Sequence, residues 1–300
     1  MTIDAQAITP ATLSPTQPAY WSVRRELWEN RSIYLAPLAV AAMFMFGFLI
    51  SSFTLSRRMR AAALLDAAKQ RAAVTLPFNF AAGLILMTAF IVGVLYSLDA
   101  LNGERRDRSI LFWKSLPISD RTTVLSKASI PMVVLPIFIF PVIVMMQTIM
   151  LMLSSVALLG NAPGLSMLWT HEKFIQSTVA LLYALIVVAL WHAPIYGWLL
   201  LVSAWAKHGV FLWALLPMIA VTIFERIAFG SRYFYLMLGH RMTGWLTQGF
   251  DANPSGLPID PVMALAPGKL LSSPGLWFGL LFAAACLIAA MRLRRYKEPI

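Results

Sequence analysis

The chain has 300 residues, of which 59% are hydrophobic and only 12% charged, and its mean hydropathy is +0.73. That excludes an ordinary soluble domain, which carries about 25% charged residues and about 45 to 50% apolar ones. The net charge of +11 raises nucleic acid as a partner, but the basic residues are dispersed between apolar runs, and no basic domain forms to hold a phosphate backbone.

Membrane lipids are the expected partner for those charges, through anionic headgroups and the positive-inside bias. Several apolar runs reach the roughly 20 residues that a helix needs to cross the bilayer core. They do not alternate in polarity as barrel strands do, and helices close their own backbone hydrogen bonds in lipid. The expected fold class is therefore an all-α, polytopic membrane protein with six transmembrane helices, forming one domain over residues 19–300.

Residues 1–18 are small, polar and proline-containing, and read as a disordered tail. No cleaved signal is expected, because the first apolar run starts only near Ile33 and no basic residue precedes Arg24. Tyr20, Trp21, Val23, Leu27 and Trp28 recur at helical spacing among Arg24, Arg25, Glu26, Glu29 and Arg31. This pattern predicts an amphipathic interfacial helix anchored by Trp21, Leu27 and Trp28, with an extension of the first span as the alternative.

The first span is expected at 33–55 and the second at 78–97, with Arg57, Arg58, Arg60, Lys69 and Arg71 between them. Residues 98–127 form the densest charge cluster in the chain. Glu104, Arg105, Arg106, Asp107, Arg108 and Lys114 fall on a predicted short helix, followed by a break at Leu116-Pro117 and a new start at Ser119-Asp120. Glu104 and Arg108 are four apart and can pair along that helix. Ile110, Leu111, Phe112 and Trp113 form an apolar block that needs cover, from the membrane surface or from the groove of a soluble partner.

The third span, 128–153, holds Pro131, Pro136 and Pro141 five residues apart, which predicts a bent helix. The run 174–206 exceeds one straight crossing and contains His192 and Pro194. It is read as one helix kinked at Pro194, with two short crossings as the alternative. The fifth span is 209–229, closed by Glu225 and Arg226. An ionisable residue in a span invites a gating or substrate role, and snorkelling to the interface is the simpler reading. The aromatic segment 230–274 is expected to supply short re-entrant or outer helices. The sixth span, 275–291, begins after a Ser273 cap with Pro274 at the first helical position and contains Gly275 and Gly279, a GxxxG spacing that permits close helix approach.

Six crossings put both termini on one side, and the Lys and Arg distribution places that side in the cytoplasm. The four histidines are scattered, and His171-Glu172 lacks the second histidine of a helical zinc site, so no metal is expected. Cys286 is the only cysteine and sits in an apolar run, so no intramolecular disulfide forms. Ala266-Pro267-Gly268-Lys269-Leu270 lacks the earlier glycine and the hydroxyl of a phosphate loop. No convergent His, Asp, Glu or Ser set appears, so the chain is not expected to be an enzyme.

The order of these parts carries a resemblance. An amphipathic N-terminal helix, six spans, and the stretch E-R-R-D-R-S-I-L-F-W-K-S-L-P-I-S from Glu104, followed by a polar helix start and Lys127, resemble the permease subunits of bacterial ABC-2 type transporters. Glu104, Leu116-Pro117-Ile118-Ser119 and Lys127 occupy the family's positions, and the runs A-P-I-Y-G-W-L-L-L-V-S-A-W-A-K and L-L-P-M-I-A-V-T-I-F-E-R also resemble members of it. The chain departs from the family at Arg106-Asp107-Arg108-Ser109, where Ser-Gly-Thr is common.

The resemblance implies an inner-membrane exporter permease, paired with a second permease copy or paralogue and with two ATP-binding cassette subunits that hold the ATP and Mg. It implies an ATPase-coupling interface formed by Glu104, Arg105, Arg106, Asp107, Arg108, Leu111, Phe112, Trp113, Leu116 and Pro117. Pro131, Pro136, Pro141, Pro194 and Glu225 are the candidate gating or kink positions. A membrane anchor or signalling component that docks a partner without transporting is the alternative.

Overall fold

The structure, a computed structural model, describes residues 16–107, 119–251 and 264–296. The positions expected at Arg108, Leu111, Phe112, Trp113, Leu116 and Pro117, and most of the expected tail, lie outside them. The described residues are all-α, apart from one isolated antiparallel bridge between Phe250 and Leu265. Six helical stretches are long and apolar enough to cross a membrane.

Helix α1 (Thr16–Glu29) precedes α2 (Ser32–Ser52), the first span. A short amphipathic helix, α3 (Leu55–Ala62), turns the chain at the far end of the bundle. Helix α4 (Ala67–Asp99) starts well before the expected second span, because the Asp66 carboxylate accepts the Lys69 N–H at 3.0 Å and caps a helix that runs straight through Pro77. The short α5 (Asn102–Arg106) follows after a brief break.

The third span is α6 (Asp120–Ser129), a π-turn (Ile130–Val134) and α7 (Leu135–Ala157). Ser119 caps α6 by accepting the Thr122 N–H. Pro131 lacks the N–H that an α-turn needs, and the ladder widens there so that the Leu135 N–H reaches the Ile130 carbonyl. Pro136 follows in the first turn of α7 and Pro141 lies inside it.

Helix α8 (Ala162–His171) lies against α3, where the Asn161 side chain donates to the Ser56 carbonyl at 3.1 Å. Helix α9 (Phe174–Trp205) is one continuous helix through His192 and Pro194, not two short crossings. At about 1.5 Å per residue it is longer than the roughly 30 Å hydrocarbon core. Gly209 takes φ 64° to turn into α10 (Val210–Phe229), and Gly230 takes φ 66° to leave it. Helices α11 (Tyr233–Gly249) and α12 (Pro267–Ser272) lead to the last span, α13 (Pro274–Tyr296), which begins at the expected proline and runs five residues beyond the expected end.

The strongest packing is between α9 and α13, whose backbones close at Gly197: a Cβ there would lie 3.0 Å from the Ala283 Cα. The expected GxxxG does something else. A Cβ on Gly279 would strike the guanidinium of Arg241 on α11, so that glycine makes room for a cation. Helices α2, α4, α7 and α9 share the main core, with Ile85, Ile143, Met150 and Leu200 fully enclosed. Large apolar side chains such as Met43, Phe46, Ile137 and Phe278 point outward, as lipid-facing residues of a spanning helix do. Helix α10 buries only Ala214 and contacts the bundle along one edge.

Candidate functional site

The connector between the second and third spans is rooted in a buried charge cluster at the end of the bundle that carries α1 and the C-terminus of α13. Glu26 of α1 is 1% exposed and Lys127 of α6 is 2% exposed. The Lys127 ammonium donates to Glu26 Oε1 at 2.8 Å and lies 3.1 Å from Glu104 Oε1. Arg25 Nη2 donates to the same two oxygens, at 2.7 and 2.9 Å. The Tyr96 hydroxyl of α4 donates to Glu26 Oε2 at 2.8 Å. Arg294 of α13 completes the set, giving Nη1 to Glu104 Oε2 and Nε to Asp120 Oδ1 at 3.1 Å.

Every oxygen of Glu26 and Glu104 therefore accepts from a cation or a phenol, and Arg25, Lys127 and Arg294 face Glu26, Glu104 and Asp120, with the half-exposed Glu29 a further 3.6 Å from Arg25 Nε. Buried charges survive only when paired and fully hydrogen-bonded. Burial pushes the Glu26 carboxyl up, but Lys127 and Arg25 outweigh it and hold the group below the ordinary glutamate range. With the oxygens of both buried carboxylates occupied, the cluster holds elements together; it does not present a free base.

A second set of bonds fixes the start of α5. Its first N–H groups, Leu101 and Asn102, both donate to the Ser203 hydroxyl of α9 at 3.0 Å. The Asn102 side chain donates to the Ala206 carbonyl at 2.9 Å, and Arg105 Nη1 donates to the Ala204 and Ala206 carbonyls at 2.8 and 3.1 Å. Helix ends leave such groups without intrahelical partners, so the start of α5 and the end of α9 satisfy one another.

Glu104 and Arg105 thus lie in the interior, where the sequence expected a face turned to a partner. Isolated charges read as surface residues, whereas here the counter-charges and carbonyls arrive from α1, α6, α9 and α13. Arg106 and Asp107 are exposed and face outward, with Arg106 3.4 Å from Asp99 and 3.3 Å from Asp107. The expected Glu104–Arg108 pair involves a residue outside the described ones; among those described, Glu104 pairs with Arg25, Lys127 and Arg294.

The interfacial helix splits its faces. Trp21 and Trp28 are exposed and sandwich the Arg24 guanidinium at 5.1 and 4.6 Å, while Leu27 turns toward the core beside Glu26. Glu225 has a local duty. It accepts the Tyr233 and Phe234 N–H groups at 2.7 and 2.8 Å and the Ser231 hydroxyl, capping α11. A carboxylate is favoured at a helix N-terminus. Pro194 stands beside His192, whose ring nitrogens lie 2.9 Å from the Val188 carbonyl and 3.3 Å from the Met242 carbonyl, joining α9 to α11. Arg241 donates to the Trp191 and Gly275 carbonyls and stacks 4.7 Å over the Trp191 ring.

Tyr96, Asn102, Ser203 and Arg294 are residues that sequence reasoning missed, and Asp120 reads there only as a helix start. Their partners lie 70 to 190 positions away, beyond any helical or strand periodicity. For Glu26 a local signal exists, since it shares a helical face with Val23 and Leu27. Among the described residues no group of His, Cys, Asp or Glu gathers to hold a metal ion. Comparison with family models, characterised proteins and solved structures finds no match for this chain.

Proposed function

We propose that the chain is the permease subunit of an ATP-binding cassette exporter of the bacterial inner membrane, with cytoplasmic termini, a second permease copy or paralogue, and separate ATPase subunits that bind the ATP and Mg. One observation supports this above the others. The root of the connector, α5, is bonded through Glu104, Arg105 and Asn102 to α1, α6, α9 and α13, so a push on the connector reaches four elements at once. A loop that served only as a link would not need such anchorage.

In this reading the ATPase grips the connector at Arg106, Asp107 and the apolar residues that follow. Nucleotide-driven closure of the ATPase pair moves α5, and the buried cluster passes that movement to α6 and α13 while Ser203 passes it to α9. The permease supplies contact and shape. Conformational change follows only from a difference in binding between states, which here lies in the ATPase contact.

The test is co-purification with the ATPase encoded beside the chain, followed by ATP hydrolysis and transport in proteoliposomes. Arg106→Glu and Trp113→Ala are expected to weaken association and uncouple hydrolysis from transport. Unchanged association and hydrolysis in both would overturn the coupling role. Association without movement of any substrate would instead favour the anchor reading.

A further inference from the structure

At the opposite end of the bundle from the charge cluster, an open groove of about 940 Å³ runs between α7 and the junction of α8 with α9. Its walls are apolar: Leu151, Met152 and Val156 on one side, Trp169, Phe174 and Ile175 on the other. Met152, Val156 and Ile175 are more than half exposed, so the groove opens sideways toward the space that lipid fills around a spanning helix.

Two acceptors stand in this groove without matching donors. Glu172 is 6% exposed, and among the described residues its carboxylate accepts only from the Ser177 hydroxyl, at a long 3.5 Å. Gln176, in the first turn of α9, lines the same wall, and its Oε1 is buried with no hydrogen-bond partner. The hydroxyls of Thr148 and Ser155, also in the lining, are already spent on the backbone carbonyls of Val144 and Leu151. A buried carboxylate without a cation is costly to keep charged, and a buried amide oxygen without a donor carries its own penalty.

A primary ammonium has three donors and the complementary charge. Glu172 also stands just before α9 begins, near an exposed Trp169 of the kind that marks the interface. Lys173 lines the same groove. We propose that this groove is a binding site for a bilayer phospholipid with a primary amine headgroup, its ammonium on Glu172 and Gln176 and its acyl chain along Met152 and Val156.

Native mass spectrometry of the purified chain, titrated with phosphatidylethanolamine, phosphatidylcholine or dodecylamine, tests this. Choline has the charge but no N–H donor, and dodecylamine has the donor but no phosphate. The wild type is expected to retain phosphatidylethanolamine roughly tenfold more tightly than phosphatidylcholine, as charge-assisted hydrogen bonds allow. Glu172→Gln is expected to abolish that preference. Met152→Trp, which fills the groove and leaves the carboxylate intact, is expected to lower retention of the lipid and carries the test if the first variant does not fold. Equal retention of the two phospholipids by the wild type, an undiminished preference in folded Glu172→Gln, or tighter retention of dodecylamine than of phosphatidylethanolamine would each overturn the assignment.

Discussion

Lys127 is the residue on which the buried cluster turns, because it alone touches both central carboxylates from within the third span. Replacing it with methionine leaves Glu26 and Glu104 short of a cation, and breaking a buried pair in this way costs about 3 to 5 kcal/mol. Tyr96→Phe removes one donor to a charged acceptor and is expected to cost less, about 1.5 to 3 kcal/mol. Denaturant unfolding in detergent is expected to rank them in that order; equal effects would show that charge is not what holds the cluster. The same cluster sets an acid limit. Since Glu26 is held below its ordinary value, its contribution is complete above the unfolded glutamate pKa of about 4.3 and is lost as pH falls through the lower folded value. The unfolding midpoint is expected to stay level near neutrality and fall only in that acid window, and Glu26→Gln is expected to flatten the acid limb while lowering stability at neutral pH.

At the scale of the helices, two contacts decide how the connector is held. Ser203→Ala leaves the Leu101 and Asn102 N–H groups buried and unpaired, at a cost of about 1 to 3 kcal/mol for an orphaned donor. Hydrogen exchange is expected to report it locally, as faster exchange at the start of α5 with α2 and α7 unaffected. Gly197 governs the α9–α13 seam: with Ala283 at 3.0 Å, Gly197→Leu has no space and is expected to overpack the seam by about 1 to 3 kcal/mol. Gly47 and Gly83, which meet nothing within 4 Å, provide the control positions where leucine is expected to be tolerated.

For the molecule as a whole, six crossings place α3 and α8 at one end and α1, α5 and the end of α13 at the other. In a Cys286→Ala background, which removes the only native thiol, cysteines placed at the exposed Arg57 and Arg106 are expected to react with a membrane-impermeant maleimide from opposite sides. Labelling of both from one side would refute the six-span arrangement. The proposed coupling also belongs to this scale, since the cluster joins the first helix of the chain to its last through the connector in the middle.

The amino-acid sequence by itself determined the all-α class, the six apolar runs, the tryptophan-bearing N-terminal helix and the place of the connector. These follow from composition, period and length, each of which is local to its segment. Proline and glycine were legible as signals, and the structure gives their local form. Pro131 is absorbed in a π-turn, Pro77 lies within a helix that continues past it, and Gly279 accommodates the Arg241 guanidinium. Only the tertiary structure decided which charges of the connector are buried. Glu104 and Arg106 look alike in the sequence, two residues apart, yet one meets Arg25, Lys127 and Arg294 in the interior while the other faces outward. The difference lies in partners contributed by helices far along the chain, and burial of a charge is permitted only where such partners converge.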